Sequence, residues 1–261
     1  MSSTTIIIAL TEAKKQLDVL DAEVLLGHVL KLTRPELYLN GRQSVSEKES
    51  GEYQTYIQRR LAGEPVAYIT GVKEFWSIPI KVTPAVLVPR PETEMLVEQT
   101  LEIIKEFRSQ NSEVRIKILD LCTGSGCITV ALAKELPNAT FVSSDLSPEA
   151  LEVARENCRS FQDRVRLVQS DLFSALKGEI FDIIVSNPPY LTSDLCKKLP
   201  KDILEHEPQL AIDGGPDGKS ISDRILHDIA LYLKPTGFLV MELGPEILTY
   251  SQERLKNLRR E

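Results

Sequence analysis

The segment Ser186-Asn187-Pro188-Pro189-Tyr190 closes an apolar run, Phe181 to Ser186, with the length and composition of a buried strand. Two consecutive prolines remove two backbone donors and stop the ladder, so a rigid corner follows. There the side-chain oxygen of Asn187 and the carbonyl oxygen of Pro188 make a pair of acceptors for the two hydrogens of a planar NH2 group. Such a nitrogen has a delocalised lone pair and little nucleophilicity at neutral pH. Two acceptors draw density onto it and turn the lone pair toward an electrophilic methyl group. Holding nitrogen, methyl carbon and sulfonium sulfur in line makes the displacement effectively unimolecular. Tyr190 would wall the site, and no strong base is needed because the proton can leave to water after transfer. A plain strand terminator would not explain why Asn precedes the prolines.

A second constellation, Leu119-Asp120-Leu121-Cys122-Thr123-Gly124-Ser125-Gly126-Cys127-Ile128, follows one strand and opens a helix, the context that gives a Gly-x-Gly turn meaning. Asp145 ends the next strand 21 residues after Gly124, where a carboxylate accepts both hydroxyl hydrogens of a ribose. Nicotinamide dehydrogenases and methyltransferases using S-adenosylmethionine share this arrangement. Thr129 stands where G-x-G-x-x-G has its third small residue, which favours an adenosine ligand without phosphates over a pyrophosphate. Asp120 either bonds amides of the loop as a cap or faces a ligand ammonium group through water. After the third strand, Asp171 is placed to accept the exocyclic amino hydrogens of adenine, with Leu172 or Phe173 packing on the ring.

The elements that must hold these residues alternate. Strands are expected over Ile116 to Leu121, Thr140 to Ser144, Val165 to Gln169, Phe181 to Ser186 and Phe238 to Glu242. Helices are expected over Ile128 to Leu136, Pro148 to Cys158, Ser220 to Leu233 and Glu246 to Leu258. Near-continuous apolar strands separated by helices imply a mainly parallel sheet covered on both faces, with ligands beyond its carboxyl ends. Upstream, Thr4 to about Gly63 has helical period, with turn signals at Asp21, Thr33-Arg34-Pro35, Asn40-Gly41 and Gly63-Glu64-Pro65. Leu25, Leu26, Val29 and Leu30 form one apolar face, and Tyr53, Tyr56, Ile57 and Leu61 another. The expected organisation is a helical bundle over 1–71, a β-hairpin linker over 72–88 in which Pro79 confines its strand to an edge, and a catalytic domain over 89–261. An amphipathic helix opens that last domain after Pro89-Arg90-Pro91-Glu92-Thr93-Glu94 and runs to about Phe107.

With 261 residues, 42% hydrophobic and 26% charged, the chain has the composition of a globular protein of one or two domains. Its 31 basic and 38 acidic side chains give a net charge of −7, which argues against a strongly basic nucleic-acid surface. Neither part supplies one: the first 72 residues carry 8 basic and 9 acidic side chains, the rest 23 and 29. The apolar stretch Ile6 to Leu10 is far short of the roughly 18 residues of a spanning helix, so a cytoplasmic protein is expected. Cys122, Cys127, Cys158 and Cys196 form no CxxC pair, which points to reduced thiols and to no metal.

Taken together these motifs resemble the HemK/PrmC family, which methylates a glutamine side-chain amide in class I peptide chain release factors. The resemblance covers nearly the whole chain. It is carried by Arg60-Leu61-Ala62-Gly63-Glu64-Pro65-Val66-Ala67-Tyr68-Ile69-Thr70-Gly71, Glu74-Phe75-Trp76, Leu87-Val88 with the Pro89 to Glu94 segment, the glycine loop, Asn187 to Tyr190, Glu207-Pro208-Gln209-Leu210-Ala211 and Gly214-Gly215-Pro216-Asp217-Gly218. It implies a class I S-adenosylmethionine-dependent methyltransferase, a Rossmann-like α/β fold with a small N-terminal helical domain that helps to grip the release factor. It further implies that Cys122, Thr123, Gly124, Ser125, Gly126, Asp145 and Leu172 contact S-adenosylmethionine, with Asp171, Phe173 and Asn187 beside it. Asn187, Pro188, Pro189 and Tyr190 would hold the glutamine, and Arg90, Glu92 and Glu207 belong to the same cleft. Two positions depart from the family pattern: Cys122 stands where many members carry glycine, and Leu172 where some carry tryptophan.

Two other readings share parts of this pattern. An adenine-N6 methyltransferase acting on nucleic acid meets the same electronic problem, but base flipping requires a phosphate-gripping surface. A non-catalytic adenosine-binding protein has no need of the Asn187-Pro188 acceptor pair. The expected partner is therefore a protein substrate, with neither nucleic acid nor membrane, and the protein itself is expected to be a monomer. Methyltransferases of this fold close with two further strands, whereas this sequence stops at Arg259-Arg260-Glu261, so the fifth strand is expected to be a sheet edge that dimerisation could cover.

Overall fold

The computed structural model describes residues 4–110 and 115–244. They divide into two compact units, one holding the residues through Val72 with Lys201–His206, the other Lys73–Pro200 with the residues from Glu207 on.

The first unit is helical: α1 (Ile6–Ala13), α2 (Val19–Leu30), α3 (Arg34–Leu39), α4 (Glu47–Leu61) and α5 (Val66–Thr70). Local chemistry sets the starts. Ser46 accepts from the Glu49 N–H while the Glu49 carboxylate accepts from the Ser46 N–H, a reciprocal cap that fixes the first turn of α4. Asp18, rather than Asp21, marks the start of α2: its carboxylate accepts from the Leu20 N–H, and Asp21 lies inside the first turn, paired with Arg60 at 2.7 Å. An acidic residue suits a helix N-terminus as well as a turn, which is why the sequence alone mistakes it. Leu25, Leu26, Tyr53 and Ile57 form the core with Ile6 and Leu10, whereas Leu61, at the end of α4, is exposed.

One ionised group lies within this apolar packing. The Glu23 carboxylate on α2 is buried and receives Lys14 Nζ at 2.8 Å, Arg34 Nε at 2.8 Å and the Tyr38 hydroxyl, which ties α1 and α3 to α2. Lys14 first, then Tyr38, hold its pKa down to about 2.

The second unit begins with a hairpin, β1 (Val72–Phe75) and β2 (Ile78–Lys81), turned at Trp76 and Ser77, which both sit at positive φ. The Trp76 N–H donates to Glu94 Oε1 at 2.7 Å, so a helix-opening glutamate holds the strained turn. After a 3-10 turn at Pro91–Thr93 comes α6 (Glu94–Gln110), followed by β3 (Lys117–Leu121), α7 (Cys127–Glu135), β4 (Thr140–Asp145), α8 (Pro148–Asn157), β5 (Val165–Gln169) and β6 (Phe181–Ser186). Short helices α9 (Ser193–Cys196) and α10 (Lys201–His206), the latter counted with the first unit, are absent from the sequence reading and precede α11 (Ser220–Asp228) and β7 (Leu233–Met241) in the chain.

The five strands from β3 on form one parallel sheet in the order β5-β4-β3-β6-β7. Strand order reverses at β3, which pairs β4 on one side and β6 on the other. β6 is buried at every residue, as its unbroken apolar run requires. The last strand departs from expectation. The helix expected through Leu233 ends at Asp228, and β7 starts at Leu233, which pairs Phe181 before an irregularity around Pro235 and Gly237 restores register at Phe238. Among the described residues β7 has β6 as its sole strand neighbour. The helix expected over Glu246 to Leu258 lies outside the described residues. All four cysteines are free thiols, and among the described residues no helix is long and apolar enough to cross a membrane.

Replacing Glu23 by Gln removes the buried charge that accepts from the partly exposed Lys14 and Arg34 and is expected to lower stability by about 2 kcal/mol at pH 7. The folded carboxyl titrates at about 2, below the roughly 4.3 of an unfolded glutamate. Its contribution is thus complete above the unfolded value and fades as pH falls toward the folded one. Urea denaturation of wild type and Glu23→Gln should show a gap at pH 7 that narrows by pH 3; a gap of equal size at both would refute the assignment.

Candidate active site at the carboxyl ends of the sheet

The reversal of strand order leaves a crevice beyond β3 and β6, and a cavity occupies it. One side is the glycine loop. Cys122, Gly124 and Gly126 all adopt positive φ, so the chain turns from β3 into α7 within five residues. Gly126 has a second reason to be glycine: a methyl group there would sit 3.3 Å from Ala154 Cβ and Cys158 Sγ. Cys122, Thr123, Gly124 and Ser125 line the cavity, while Gly126 packs behind it. The Cys122 thiol is pushed up to about 12, by burial first, so it stays protonated.

Asp145 is fixed at the end of β4 by two amides: Gly124 N–H donates to Oδ2 at 2.8 Å and Ser147 N–H to Oδ1 at 3.0 Å. Burial raises its pKa, against the lowering effect of those same amides. The result is an oriented carboxylate on the cavity wall, tied directly to the loop. Asp120 behaves otherwise. It is fully buried and outside the cavity wall, and its Oδ2 accepts the hydroxyls of Thr123 and Thr129, each at 2.6 Å; Thr129 also meets Ser143 Oγ at 2.7 Å. Asp120 thus braces the loop through hydroxyls, with burial pushing its pKa to about 6. Thr129 is a member of that brace, which accounts for the missing third glycine.

Beyond β5, Asp171 and Leu172 line the cavity, with Leu172 at positive φ. Phe173 does not: it stacks on Tyr232 in the core, ring centroids 4.4 Å apart. Asp171 is half exposed and paired with Arg224 of α11 at 2.8 Å, a partner that sequence spacing did not suggest. Beyond β6, Asn187 and Pro189 line the cavity, and Asn187 Nδ2 donates to Thr93 Oγ1 at 2.9 Å. Ser186 Oγ donates to the Leu121 carbonyl at 2.6 Å, locking the ends of β6 and β3 together beneath them. Pro188 and Tyr190 lie outside the lining. The Tyr190 hydroxyl donates to Glu242 Oε1 at 3.1 Å, just past β7, and burial raises its pKa to about 12.

The opposite wall is Ala85 to Leu87 with Pro89, Arg90 and Thr93. Arg90 reaches the buried Glu207 at 2.5 Å, and the Val88 N–H donates to the same carboxylate at 3.2 Å. Arg90 borders the cavity, whereas Glu207 acts on it through Arg90 and Val88, and Glu92 is exposed outside it. Asn157, at the end of α8, joins β2 to the glycine loop. Its side chain pairs with both the N–H and the carbonyl of Lys81, at 2.8 and 2.9 Å, and donates to the Ser125 carbonyl at 2.8 Å. Thr93, Asn157, Arg224 and Glu242 carry no spacing signal of their own. Thr93 alone lay within a motif, the Pro89 to Glu94 segment.

A parallel sheet with this order, a glycine turn after its central strand and a carboxylate ending the next are the frame of the class I methyltransferase fold, which nicotinamide dehydrogenases share, and similarity to known proteins separates the two. Residues 5–71 match the profile of the PrmC N-terminal domain and residues 102–216 that of the methyltransferase small domain. The chain is 43% identical over 227 residues to the release factor glutamine methyltransferase of Bradyrhizobium diazoefficiens, covering 86% of this chain and 75% of that one. To its namesake in Moorella thermoacetica it is 42% identical over 229 residues, covering 87% and 78%. In fold, the N-terminal domain of human METTL16 superposes with a TM-score of 0.52 at 20% identity, over 84% of this chain and 77% of that one. The chain belongs to the family of release factor glutamine methyltransferases, and it is a methyltransferase.

Two glycines of the loop should separate in denaturation experiments. Gly124→Ala meets no atom within 4 Å and carries mainly the cost of positive φ, about 1 to 2 kcal/mol. Gly126→Ala adds contacts at 3.3 Å and should cost more; the reverse ranking would show that α7 and α8 are not packed as described.

Proposed function

We propose that the protein transfers the methyl group of S-adenosylmethionine to the side-chain amide nitrogen of the glutamine in the Gly-Gly-Gln motif of class I peptide chain release factors. The observation that carries this reading is the Asn187 amide on the cavity wall, its Nδ2 engaged by Thr93 and its Oδ1 left to accept. Asp145, on the same wall system, would accept the ribose hydroxyls, with Cys122 to Ser125 along the methionine portion and Leu172 and Asp171 beside the adenine. The cavity suits a cofactor without phosphates. Its two lining cations, Arg90 and Arg224, are each engaged by a carboxylate, Glu207 and Asp171, so neither is a free counter-charge for a pyrophosphate.

When bound, S-adenosylmethionine supplies a methyl group on a sulfonium, a strong electrophile with a neutral thioether as leaving group. The chain supplies the nucleophile's activation. Asn187 Oδ1 and the Pro188 carbonyl each accept one hydrogen of the glutamine NH2, raising density on nitrogen and fixing the direction of its lone pair. The corner made by Pro188 and Pro189 keeps those acceptors in place without induced movement. One N–H proton leaves to water once the N–C bond has formed. Tyr190, oriented by Glu242, walls the substrate side. Arg90 borders it, steadied by Glu207, and Glu92 stands near enough to Tyr190 to help raise its pKa. The N-terminal helical unit grips the release factor, in the cytoplasm where translation terminates, and the enzyme acts as a monomer.

Incubation with labelled S-adenosylmethionine and a release factor should label the factor, but not its Gln→Ala form at the Gly-Gly-Gln tip, and not DNA. Label on DNA, or equal label on both factor forms, would overturn the substrate. Asn187→Ala should lower turnover by about 10²-fold with cofactor affinity nearly intact. Asp145→Asn should do the opposite, weakening cofactor binding by about tenfold or more through loss of charged hydrogen bonding. Isothermal titration with S-adenosylhomocysteine, beside single-turnover rates, separates the two effects.

A further inference from the structure

We infer that Thr93 is a positioning residue that anchors the Nδ2 end of the Asn187 side chain and so keeps Oδ1 toward the substrate, an inference that rests on the role proposed for Asn187. A primary amide has an acceptor end and a donor end of almost equal shape, so packing alone does not orient it. Orientation matters here because the substrate group is itself a donor. With Oδ1 outward, Asn187 accepts a substrate N–H; with Nδ2 outward, donor faces donor and activation is lost. In the structure Nδ2 is the end turned away, donating to Thr93 Oγ1 at 2.9 Å.

The hydroxyl that receives it is held from several sides. Thr93 is 3% exposed and ends the 3-10 turn Pro91–Thr93, its N–H donating to the Arg90 carbonyl at 3.1 Å. Arg90 is anchored by the buried Glu207 carboxylate. Glu94, next along the chain, accepts the Trp76 N–H at 2.7 Å. A residue placed by its own backbone bond to Arg90 and by the side-chain bond of Glu94 beside it gives Asn187 a fixed partner 94 residues away in sequence. Removing it leaves Nδ2 unpaired in a partly buried corner, where the amide rotates toward other partners and the productive orientation is diluted.

Thr93→Val keeps the shape and removes the acceptor. It should lower kcat about tenfold or more, leave the affinity for S-adenosylhomocysteine unchanged, and be rescued to within about threefold by Thr93→Ser. Thr93→Ala, which removes the same acceptor without a branched methyl, carries the same expectation and covers the case in which Val disturbs folding. The decisive comparison is the double variant: with Asn187→Ala already present, Thr93→Val should cause no further loss. An additive loss in that background, wild-type turnover in both Thr93→Val and Thr93→Ala, or failure of Ser to rescue would overturn the role of Thr93. Wild-type turnover in Asn187→Ala would instead overturn the reading of Asn187 on which it rests.

Discussion

A parallel sheet has to open where its strand order reverses, because neighbouring strands there send their connections to opposite faces. In this protein the reversal falls between β3 and β6, and the Ser186 hydroxyl bonded to the Leu121 carbonyl pins the two strand ends together. Everything chemical is hung from that junction. The turn after β3 must be tight and partly left-handed, so glycines stand in it, and the turn after β6 must be rigid, so prolines do. In the proposed function one loop then meets the cofactor and the other the substrate nitrogen, a separation set by strand spacing of roughly 5 Å.

Polar groups buried around the junction are divided between bracing and presenting. Asp120 has its Oδ2 committed to two threonine hydroxyls and holds the loop from beneath. Asp145, one strand over, receives two backbone amides and lines the cavity. The same division separates Glu207, buried behind Arg90, from Arg90 itself. Asn157 stitches the hairpin edge to the glycine loop with all three of its useful hydrogen bonds. The cavity walls are thereby held by side chains that do not line it.

How far this was legible from the chain depends on the range of the interaction. The buried strands β4, β5 and β6 announce themselves as apolar runs between turn residues, and the glycine loop and the Asn187 corner by local chemistry. The helical period of α2 and α4 is equally local. By contrast, Phe173 was as good a ring-packing residue as Leu172 in sequence, and it is core packing on Tyr232, 59 residues away, that turns it from the cavity. Arg224 on Asp171 and Thr93 on Asn187 are partners across 53 and 94 residues, beyond any spacing rule. The end of α11 was misplaced because Leu233, apolar in either setting, takes its identity from pairing with Phe181. Short helices such as α9 and α10 are below the length at which periodicity can be counted.

The proposed chemistry needs the Asn187 amide oxygen and the Asp145 carboxylate to face a shared cavity from the ends of β6 and β4, the strands on either side of β3. A crystal structure with S-adenosylhomocysteine and a Gly-Gly-Gln peptide measures that geometry directly. Asp145 is expected on the ribose hydroxyls and Asn187 Oδ1 within hydrogen-bonding distance of the glutamine side-chain nitrogen, with Nδ2 still on Thr93. A ribose held elsewhere, or a glutamine nitrogen out of reach of both Asn187 Oδ1 and the Pro188 carbonyl, would contradict it.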